Sequence, residues 1–483
     1  MIVWTFKRRM SLISQKRVFF LSFSIILWFL VGLGCSSDYS PSESWLQYQT
    51  PDSAGWSVSD LEQARQFAES IRSGAVMGIY RGHVLFAWGD VQRLFRCHSV
   101  RKSLLSGLIG IYVENNTIDL DETIEELGID DIQPLSQTEK QATVLQLLKA
   151  RSGIYHPAAK ETSSMERERP ERGSHLPGEF FWYNNWDFNI LGVIFEQKTG
   201  RKIFKAFQDH IAQPVGMQDY KLGEQFYQYA RSKSKHPAYA FRMSARDLAR
   251  FGQLYLQNGK WDDKQVIPSD WVRESTSGYS KVNPGTQYGY MWWVYPEGEL
   301  DPEKYPTLNQ WDKFAAIGTG GQLVLVIPEA EFVLVHRGDT DFGSGVSGPN
   351  VWKLAEIVMQ SRNKKAEKKP ELEALSPIPF LYELPPLGTH EEIDLPPEVL
   401  ESYTGTYQLT PKVQIIIRRF GNQLAAEMTG PQGGEADIFP SSKNHFFGRA
   451  VQLEITFIRD DSNEISGLLL DFGGRIQKAE KIK

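Results

Sequence analysis

The sequence predicts an α+β fold in which an antiparallel sheet is flanked by helices and followed by a small antiparallel β unit. Residues 74–90 and 321–339 each contain two β-rich runs around a turn, so each range is expected to form a hairpin. Helical patterns lie between the hairpins, and residues 398–483 alternate apolar and polar side chains between turn signals. The simplest arrangement pairs both hairpins in one sheet with helices on its faces.

The individual elements follow from periodicity and capping residues. Residues 53–71 contain a serine cap followed by helical spacing, and residues 245–259 form an amphipathic helical pattern. The stretch 99–113 is mostly apolar, which predicts a buried helix. The two hairpins are expected to turn at Arg81-Gly82 and at Pro328-Glu329.

The composition changes after Lys364, which divides the chain into domains. Residues 46–364 form one predicted globular domain, and the charged, proline-rich residues 365–397 predict a stiff linker. Residues 398–483 predict a small domain that is a barrel or a curled sheet. Its strand patterns end at Gly, Asn or Asp and span 413–421, 423–430, 451–461 and 467–474.

Residues 1–35 have the features of an export signal. The pair Lys16-Arg17 precedes an apolar run at 18–33, which is short for a membrane span of about 20 residues. Cys35 stands where bacterial lipoproteins carry their lipidated cysteine. We therefore expect a lipid anchor at Cys35, a polar tether over 36–45, and a location facing the periplasm or the cell surface. A plain secretory signal and an uncleaved anchor are the alternatives.

Charge and cysteine content exclude several classes of protein. The chain has 53 Lys+Arg against 59 Asp+Glu and a net charge of −6. Residues 1–34 contribute five basic and no acidic side chains, which leaves −11 on the rest, and this charge would repel nucleic acid. Two cysteines cannot form a disulfide framework, and the nine histidines lack metal-ligand spacing. We expect small-molecule substrates, with no metal and no other cofactor.

Ser99 and Lys102 form an S-x-x-K sequence at the start of the apolar helical stretch. Their spacing places the hydroxyl and the amine on one helix face, and a buried lysine can activate a serine nucleophile. The same pattern occurs at 232–235 and 361–364, so taken alone it is more often accidental. Those two copies lie in basic, polar stretches, whereas Ser99 begins a helix that must be buried.

Tyr183 and Asn185 form a Y-x-N sequence where an aromatic-rich loop enters a helical pattern. A tyrosine can relay a proton between nucleophile and leaving group, and an amide can orient the substrate. The alternative is that Tyr183 is a core residue, which is usual for a tyrosine in an aromatic cluster.

The sequence from Ile317 to Gln322 contains Gly318, Gly320 and Gly321 and is expected to begin a strand. Glycines there let a substrate approach the backbone closely, and a free N–H can bind an oxyanion. An ordinary β-turn is the alternative.

The order of these three motifs resembles the serine β-lactamase and penicillin-binding protein superfamily. Class C β-lactamases, DD-peptidases, related esterases and 6-aminohexanoate-dimer hydrolase are the most similar in pattern. Segments 147–155 and 238–268 also resemble the family, and the resemblance covers about 53–340. It implies a β-lactamase/transpeptidase-like sheet, and the C-terminal unit resembles the small β domain often appended to such hydrolases.

The resemblance also implies roles for the motif residues. Ser99 would be the nucleophile, Lys102 its base and Tyr183 an aid to proton transfer, while Asn185 would contact the substrate. Aligning the third motif to Ala316-Ile317-Gly318 implies an oxyanion hole formed by the backbone N–H groups of Ser99 and Thr319. The glycines of the same turn, Gly318 and Gly320, would then lie beside the substrate.

The departures from the family pattern bear on the substrate. Ala316 replaces the Lys or His that binds the substrate carboxylate in β-lactamases and many peptidases. Arg151 replaces the usual His before Ser152-Gly153. Cys97 is expected to be a buried thiol rather than a nucleophile. Five aromatic residues near the motifs indicate either an apolar substrate pocket or core packing: Phe181, Trp182, Trp186, Trp292 and Trp293.

Together these observations predict an exported serine hydrolase that cleaves an ester or amide bond through an acyl-enzyme on Ser99. One alternative is a true β-lactamase or DD-peptidase acting on β-lactams or peptidoglycan. The other is a ligand-binding protein built on an inactive hydrolase scaffold.

Overall fold

The computed structural model describes residues 44–343, 345–362, 366, 369–388, 390–430 and 433–483. The predicted export signal, Cys35 and most of the tether lie outside these residues. No helix within the described ranges is long and apolar enough to cross a membrane. The helices are α1 Val58–Ser70, α2 Val100–Glu114, α3 Val144–Leu148, α4 Ser163–Arg167, α5 Asn185–Thr199, α6 Ile203–Phe207, α7 Ala245–Leu256, α8 Ser269–Ser275, α9 Gly348–Gln360 and α10 Pro397–Ser402.

The strands fall into one large sheet, a barrel and three short pairs. They are β1 Leu46–Tyr48, β2 Ala75–Tyr80, β3 His83–Gly89, β4 Phe95–Arg96, β5 Phe226–Ala230, β6 Ser234–Ala240, β7 Arg242–Met243, β8 Lys260–Trp261, β9 Lys264–Gln265, β10 Ser280–Asn283, β11 Thr286–Tyr288, β12 Trp293–Tyr295, β13 Lys313–Gly318, β14 Gln322–Ile327, β15 Phe332–Arg337, β16 Leu372–Ala374, β17 Gly405–Thr410, β18 Val413–Phe420, β19 Gln423–Met428, β20 Gly434–Pro440, β21 His445–Gly448, β22 Leu453–Arg459, β23 Ile465–Phe472 and β24 Arg475–Lys481.

The large sheet has ten strands in the order β10-β11-β12-β13-β14-β15-β2-β3-β1-β16. Its centre joins the two hairpins predicted from the sequence, because β15 pairs antiparallel with β2 and places Leu334 opposite Gly78. The prediction of an antiparallel sheet built on these hairpins is confirmed. One pairing, β1 with β3, is parallel.

Helices cover both faces of this sheet. Helices α1 and α9 share one apolar cluster with side chains of β2, β14 and β15, while α2, α5 and α7 share the other. The strands are apolar on both faces because each face is covered, as expected for the centre of a layered α+β domain.

Helix α2 runs through the interior, and its small residues allow neighbouring elements to come close. A Cβ atom added to Gly110 would lie 2.3 Å from the Trp271 ring. The hydroxyls of Ser103 and Ser106 donate hydrogen bonds to the carbonyls of Met291 and Tyr290, at 2.8 and 2.7 Å. The start of α2, which carries the S-x-x-K sequence, is therefore fixed from several sides.

The proline-rich segment is attached to the sheet and is more ordered than a free linker. Strand β16 pairs with β1, and the backbone of Ile378 exchanges hydrogen bonds with Ala87 and Gly89 on β3. The ring of Phe380 is buried against the same region. The pairing of β16 with β1 satisfies backbone hydrogen-bonding groups at the edge of the sheet. The proline-rich composition of the segment does not reveal this stabilisation.

The C-terminal unit is a closed barrel of eight antiparallel strands, β17 to β24, which confirms the predicted small antiparallel β domain. Closure comes from the pairing of β17 with β24. The four strand patterns seen in the sequence correspond to β18, β19, β22 and β23. The other four strands carry more Gly and Pro and gave weaker patterns.

The barrel contacts the domain of the large sheet through ion pairs and a backbone acceptor. Arg231 lies between Glu435 and Asp437 of strand β20, with 3.0 Å to the Asp437 carboxylate. Arg96 donates to the carbonyl of Ala450 on the barrel and to the carbonyl of Thr340. Because Arg96 precedes Ser99 by three residues, the barrel contacts the strand that leads into α2.

Candidate active site

Ser99 caps the N-terminus of α2 and is partly exposed. The preceding residue, His98, has a φ of +46°, a left-handed conformation that turns the chain sharply into the helix. The Nε2 atom of His98 lies 2.7 Å from the hydroxyl of Thr340, which holds this turn. The Ser99 hydroxyl is thus presented at the surface of a rigid, buried helix.

Lys102 lies one helical turn after Ser99 and contacts two hydroxyls. Its Nζ atom is 3.0 Å from Ser99 Oγ and 2.6 Å from the Tyr183 hydroxyl. The side chain is 1% exposed. Burial lowers the pKa of Lys102 well below its ordinary value, and the charges of Arg101 and Lys160 lower it further. A neutral amine beside a serine hydroxyl is suited to accept its proton.

Tyr183 ends the loop that enters α5, where the side chain of Asn184 caps the helix by accepting from the Asp187 N–H at 2.8 Å. Its ring packs against Trp293, with 5.2 Å between centroids, and Lys102 Nζ lies 4.2 Å from its centroid. Burial raises the pKa of Tyr183 to about 12, so its hydroxyl keeps its proton at neutral pH. Tyr183 therefore packs as a core residue through its ring and also contacts Lys102 through its hydroxyl.

Arg151, which departs from the family pattern, holds the loop before Tyr183. Its guanidinium donates to the carbonyls of Gly178 and Glu179, each at 2.8 Å. The adjacent Ser152 donates to the buried Asp187 carboxylate at 2.6 Å. Arg151 therefore orders the backbone that carries Tyr183.

Asn185 is the first residue of α5 and is 4% exposed. Its Nδ2 atom donates to the carbonyl of Lys160, while its Oδ1 atom is buried with no hydrogen-bond partner among the described residues. A buried acceptor without a partner costs free energy unless a ligand supplies a donor. The substrate contact predicted for Asn185 stays a prediction.

The glycine run at 318–321 was expected to begin a strand, but it lies between two strands. Strand β13 ends at Gly318, residues 319–321 form the turn, and β14 starts at Gln322. The run therefore ends one strand and turns into the next, because Gly320 and Gly321 adopt φ values of +76° and +84° that favour a turn.

Gly318 lies directly against the start of α2. A Cβ atom at this position would lie 2.5 Å from the carbonyl oxygen of Cys97 and 3.1 Å from the backbone nitrogen of Ser99. Only glycine allows the two backbones this approach. The backbone of Gly318 thereby lies close to the backbone nitrogen of Ser99, and an oxyanion hole formed by the N–H groups of Ser99 and Thr319 stays a prediction.

An open cleft of about 320 Å³ begins at Ser99 and Tyr183. The glycine turn forms one wall, including Gly318, Thr319 and Gly320. Trp293 and the first turns of α9, at Val351 and Trp352, supply apolar surface. The structure thus brings Ser99, Lys102, Tyr183 and the glycine turn together, whereas Asn185 does not line this cleft.

Some of the aromatic residues near the motifs line the cleft, and others pack in the core. Trp293 lines the cleft, while Trp186 and Trp292 are fully buried core residues. Cys97 is buried, with its sulfur 3.8 Å from an Arg337 nitrogen, and burial raises its pKa, as expected of a structural thiol.

Sequence reasoning missed two residues of this region. Trp352 lies on an amphipathic helix whose position next to Ser99 depends on the tertiary fold. Lys160 lies in a turn and carries no motif. Its backbone contact with Asn185 reveals its proximity only in the structure.

Comparison with known proteins places the chain in a family. An uncharacterized protein of Alkalihalophilus pseudofirmus is 24% identical over 270 residues, which is 52% of this chain and 74% of the relative. The octameric penicillin-binding protein homologue from Pyrococcus abyssi is 17% identical, with a TM-score of 0.47 over 87% of this chain and 99% of that chain.

A protein assigned as a 6-aminohexanoate-dimer hydrolase from Bacillus anthracis is 19% identical, with a TM-score of 0.48 over 66% of this chain and 90% of that chain. The family model described as Beta-lactamase matches residues 58–368. Since this match covers more than half of the chain, the protein belongs to the Beta-lactamase family.

Proposed function

We propose that this protein is a serine hydrolase that cleaves an ester or amide bond through an acyl-enzyme on Ser99. The observation that carries the proposal is the position of Lys102 Nζ, which lies within hydrogen-bonding distance of both Ser99 Oγ and the Tyr183 hydroxyl. Membership of the Beta-lactamase family supports hydrolase activity in general.

In the proposed reaction, neutral Lys102 accepts the proton of Ser99 Oγ while that oxygen attacks the substrate carbonyl carbon. The resulting oxyanion is bound by the backbone N–H groups of Ser99 and Thr319. The bond to the leaving group breaks, and Lys102 returns the proton through the Tyr183 hydroxyl to the departing oxygen or nitrogen. A water molecule then attacks the acyl carbon, gives its proton to the same pair and releases Ser99.

The experiment is active-site labelling combined with pre-steady-state kinetics. We expect a fluorophosphonate to label Ser99 and a nitrophenyl ester to give a burst of nitrophenol, both of which Ser99→Ala should abolish. Ser232→Ala is the matched control, because Ser232 starts a second S-x-x-K sequence on an exposed turn. Full esterase activity in Ser99→Ala would refute the proposal.

The same variants separate the two alternatives. Rapid, Ser99-dependent hydrolysis of a chromogenic cephalosporin would indicate a true β-lactamase or DD-peptidase. The buried Ala316 argues against this, because it leaves strand β13 without a cation at the position aligned with the carboxylate-binding residue. Stable acylation of Ser99 without turnover would indicate a ligand-binding protein on an inactive scaffold.

We also propose that the chain is exported and anchored by a lipid on Cys35. The proposal rests on the basic residues, the apolar run and the small residues before this cysteine. Labelled palmitate should enter the wild-type protein and not Cys35→Ala. Equal labelling of both would refute the anchor.

A further inference from the structure

The cleft that begins at the candidate nucleophile continues along one face of the large sheet. Strand pairing places Trp293 opposite Ala315 and Leu323 opposite Ile317. Because alternate residues of a strand point to the same face, the side chains of Trp293, Ile317 and Leu323 lie on one face together. Helix α9 packs on that face, and its Trp352 lines the cleft with these three residues.

Both tryptophan rings of the cleft are held in place by other aromatic rings. The Trp293 centroid lies 5.2 Å from that of Tyr183 and 5.1 Å from that of Tyr288. The Trp352 centroid lies 4.7 Å from that of Tyr295, in a T-shaped contact. Each tryptophan is still partly exposed and contributes surface to the lining of the cleft. A rigid apolar surface of this kind loses little conformational entropy when a ligand binds to it.

Among the described residues, no charged side chain lines the cleft. On the first turns of α9, Lys353 Nζ lies 5.0 Å from the centroid of the Phe67 ring, and the Glu356 carboxylate accepts from the backbone N–H groups of residues 307 and 308 at 2.9 Å. Lys102 is 1% exposed and does not belong to the lining. A charged substrate group would therefore lose water in this cleft without gaining a counter-ion. The side chains that supply polar atoms are Ser99, Tyr183, Thr319 and Gln322.

The position of Tyr183 indicates which part of a substrate the cleft would hold. Tyr183 and Ser99 both line the cleft, and the Tyr183 ring packs against Trp293. In the proposed reaction the Tyr183 hydroxyl passes a proton to the departing oxygen or nitrogen, so the leaving group must lie beside that hydroxyl. The volume of about 320 Å³ is at the small end of the range for small-molecule sites, about 300–1,000 Å³. The cleft therefore suits a small leaving group.

We propose that the cleft binds the leaving group of the substrate, that this group is uncharged and carries an apolar ring, and that Trp352 is the residue that selects it. The proposal rests on the proposed function. Aromatic rings pack favourably against tryptophan in stacked or edge-to-face contacts, and the ring would also be removed from water. The substrate class is thus the esters or amides of small alcohols or amines that bear an apolar ring.

The test compares three esters that share the acetyl group and differ in the alcohol. Benzyl acetate has an apolar ring, ethyl acetate has no ring, and 4-(acetoxymethyl)benzoate has the same ring with a carboxylate on it. Release of acetic acid is followed by titration at constant pH. We expect the wild-type protein to favour benzyl acetate over each of the other two by about tenfold or more in kcat/KM, as an apolar pocket discriminates between groups that do and do not fill it. Equal or faster hydrolysis of the carboxylate-bearing ester would overturn the proposal.

Variants of α9 make the result specific to one side chain. Trp352→Ala should lower kcat/KM for benzyl acetate by about tenfold and leave that for ethyl acetate nearly unchanged. Trp352→Phe keeps a ring and should retain most of the preference. Ile357→Ala is the matched control, because Ile357 is also partly buried on α9 against the same apolar cluster but does not line the cleft. Its ratio of the two rates should equal that of the wild type, which separates selection of the ring from a general loosening of the helix.

The outcomes for the two proposals are distinguishable. If a fluorophosphonate labels Ser99 and hydrolysis depends on Ser99, but Trp352→Ala does not change the ratio of benzyl to ethyl acetate, the proposal for Trp352 is wrong and the serine hydrolase stands. If Ser99 is not labelled and its replacement leaves the hydrolysis of every ester unchanged, both proposals are wrong.

Discussion

Lys102 and Lys160 both have a lowered pKa, but they differ in their partners. Burial lowers the pKa of both, and neither has a carboxylate partner among the described residues. Lys102 is enclosed by the hydroxyls of Ser99 and Tyr183, whereas the ammonium of Lys160 has no acceptor in the same part of the chain. A lysine whose charge is disfavoured by burial can serve as a neutral base where a hydroxyl lies within hydrogen-bonding distance, as the Ser99 hydroxyl does for Lys102.

The largest expected effect follows from removing the proposed base. Lys102→Met keeps most of the side-chain volume and eliminates the amine, so kcat/KM for a nitrophenyl ester should fall by about 10²–10⁴-fold. Stopped-flow kinetics would measure the loss. Unchanged kinetics in the folded variant would contradict the role proposed for Lys102.

The next effect concerns Gly318, where strand β13 lies against the start of α2. In Gly318→Ala the new Cβ would lie against Cys97 O and Ser99 N, which displaces the oxyanion hole and should lower kcat by about 10²–10³-fold. Gly223→Ala is the control, because the added Cβ meets no atom within 4 Å there. An unchanged kcat in Gly318→Ala with unchanged thermal stability would contradict this placement of the oxyanion hole.

The smallest expected effect is electrostatic. The charge of Lys160 helps to lower the pKa of Lys102, so its removal in Lys160→Met should raise that pKa. Since the neutral amine is the proposed active form, the acid limb of the pH profile for a neutral nitrophenyl ester should move to higher pH. Lys160→Arg should show a smaller displacement, and movement to lower pH would contradict the sign of this interaction.

Much of the fold could be predicted because its signals are local. The hairpins at 74–90 and 321–339 and the apolar helix that begins at Ser99 all carry strong periodicity. Strand β13 was missed because its six residues read as the approach to a glycine run. The attachment of residues 372–380 to the sheet depends on an edge strand far away in the sequence, which a local pattern cannot reveal.

Some residues of the site could also be predicted from local motifs, and others could not. Ser99, Lys102 and Tyr183 are close together in the structure, and their grouping was predicted because their motifs occur in a recognisable order. Their catalytic roles remain predictions. Lys160 could not be found, since its contact with Asn185 arises only when α5 holds the 159–160 turn through Asn185 and Asn189.

The contacts between the barrel and the strand before Ser99 bear on how the molecule unfolds. A chain lacking residues 398–483 would leave Arg231 without both of its carboxylates and Arg96 without the Ala450 carbonyl. Phe226 and Ala240, which pack with Ala450, would become exposed to water. Buried and partly buried groups that lose partners in this way destabilise the remaining part. Heat or denaturant should therefore melt the barrel and the domain of the large sheet in one cooperative transition, and a protease that removed the barrel would also disturb the strand that leads to Ser99.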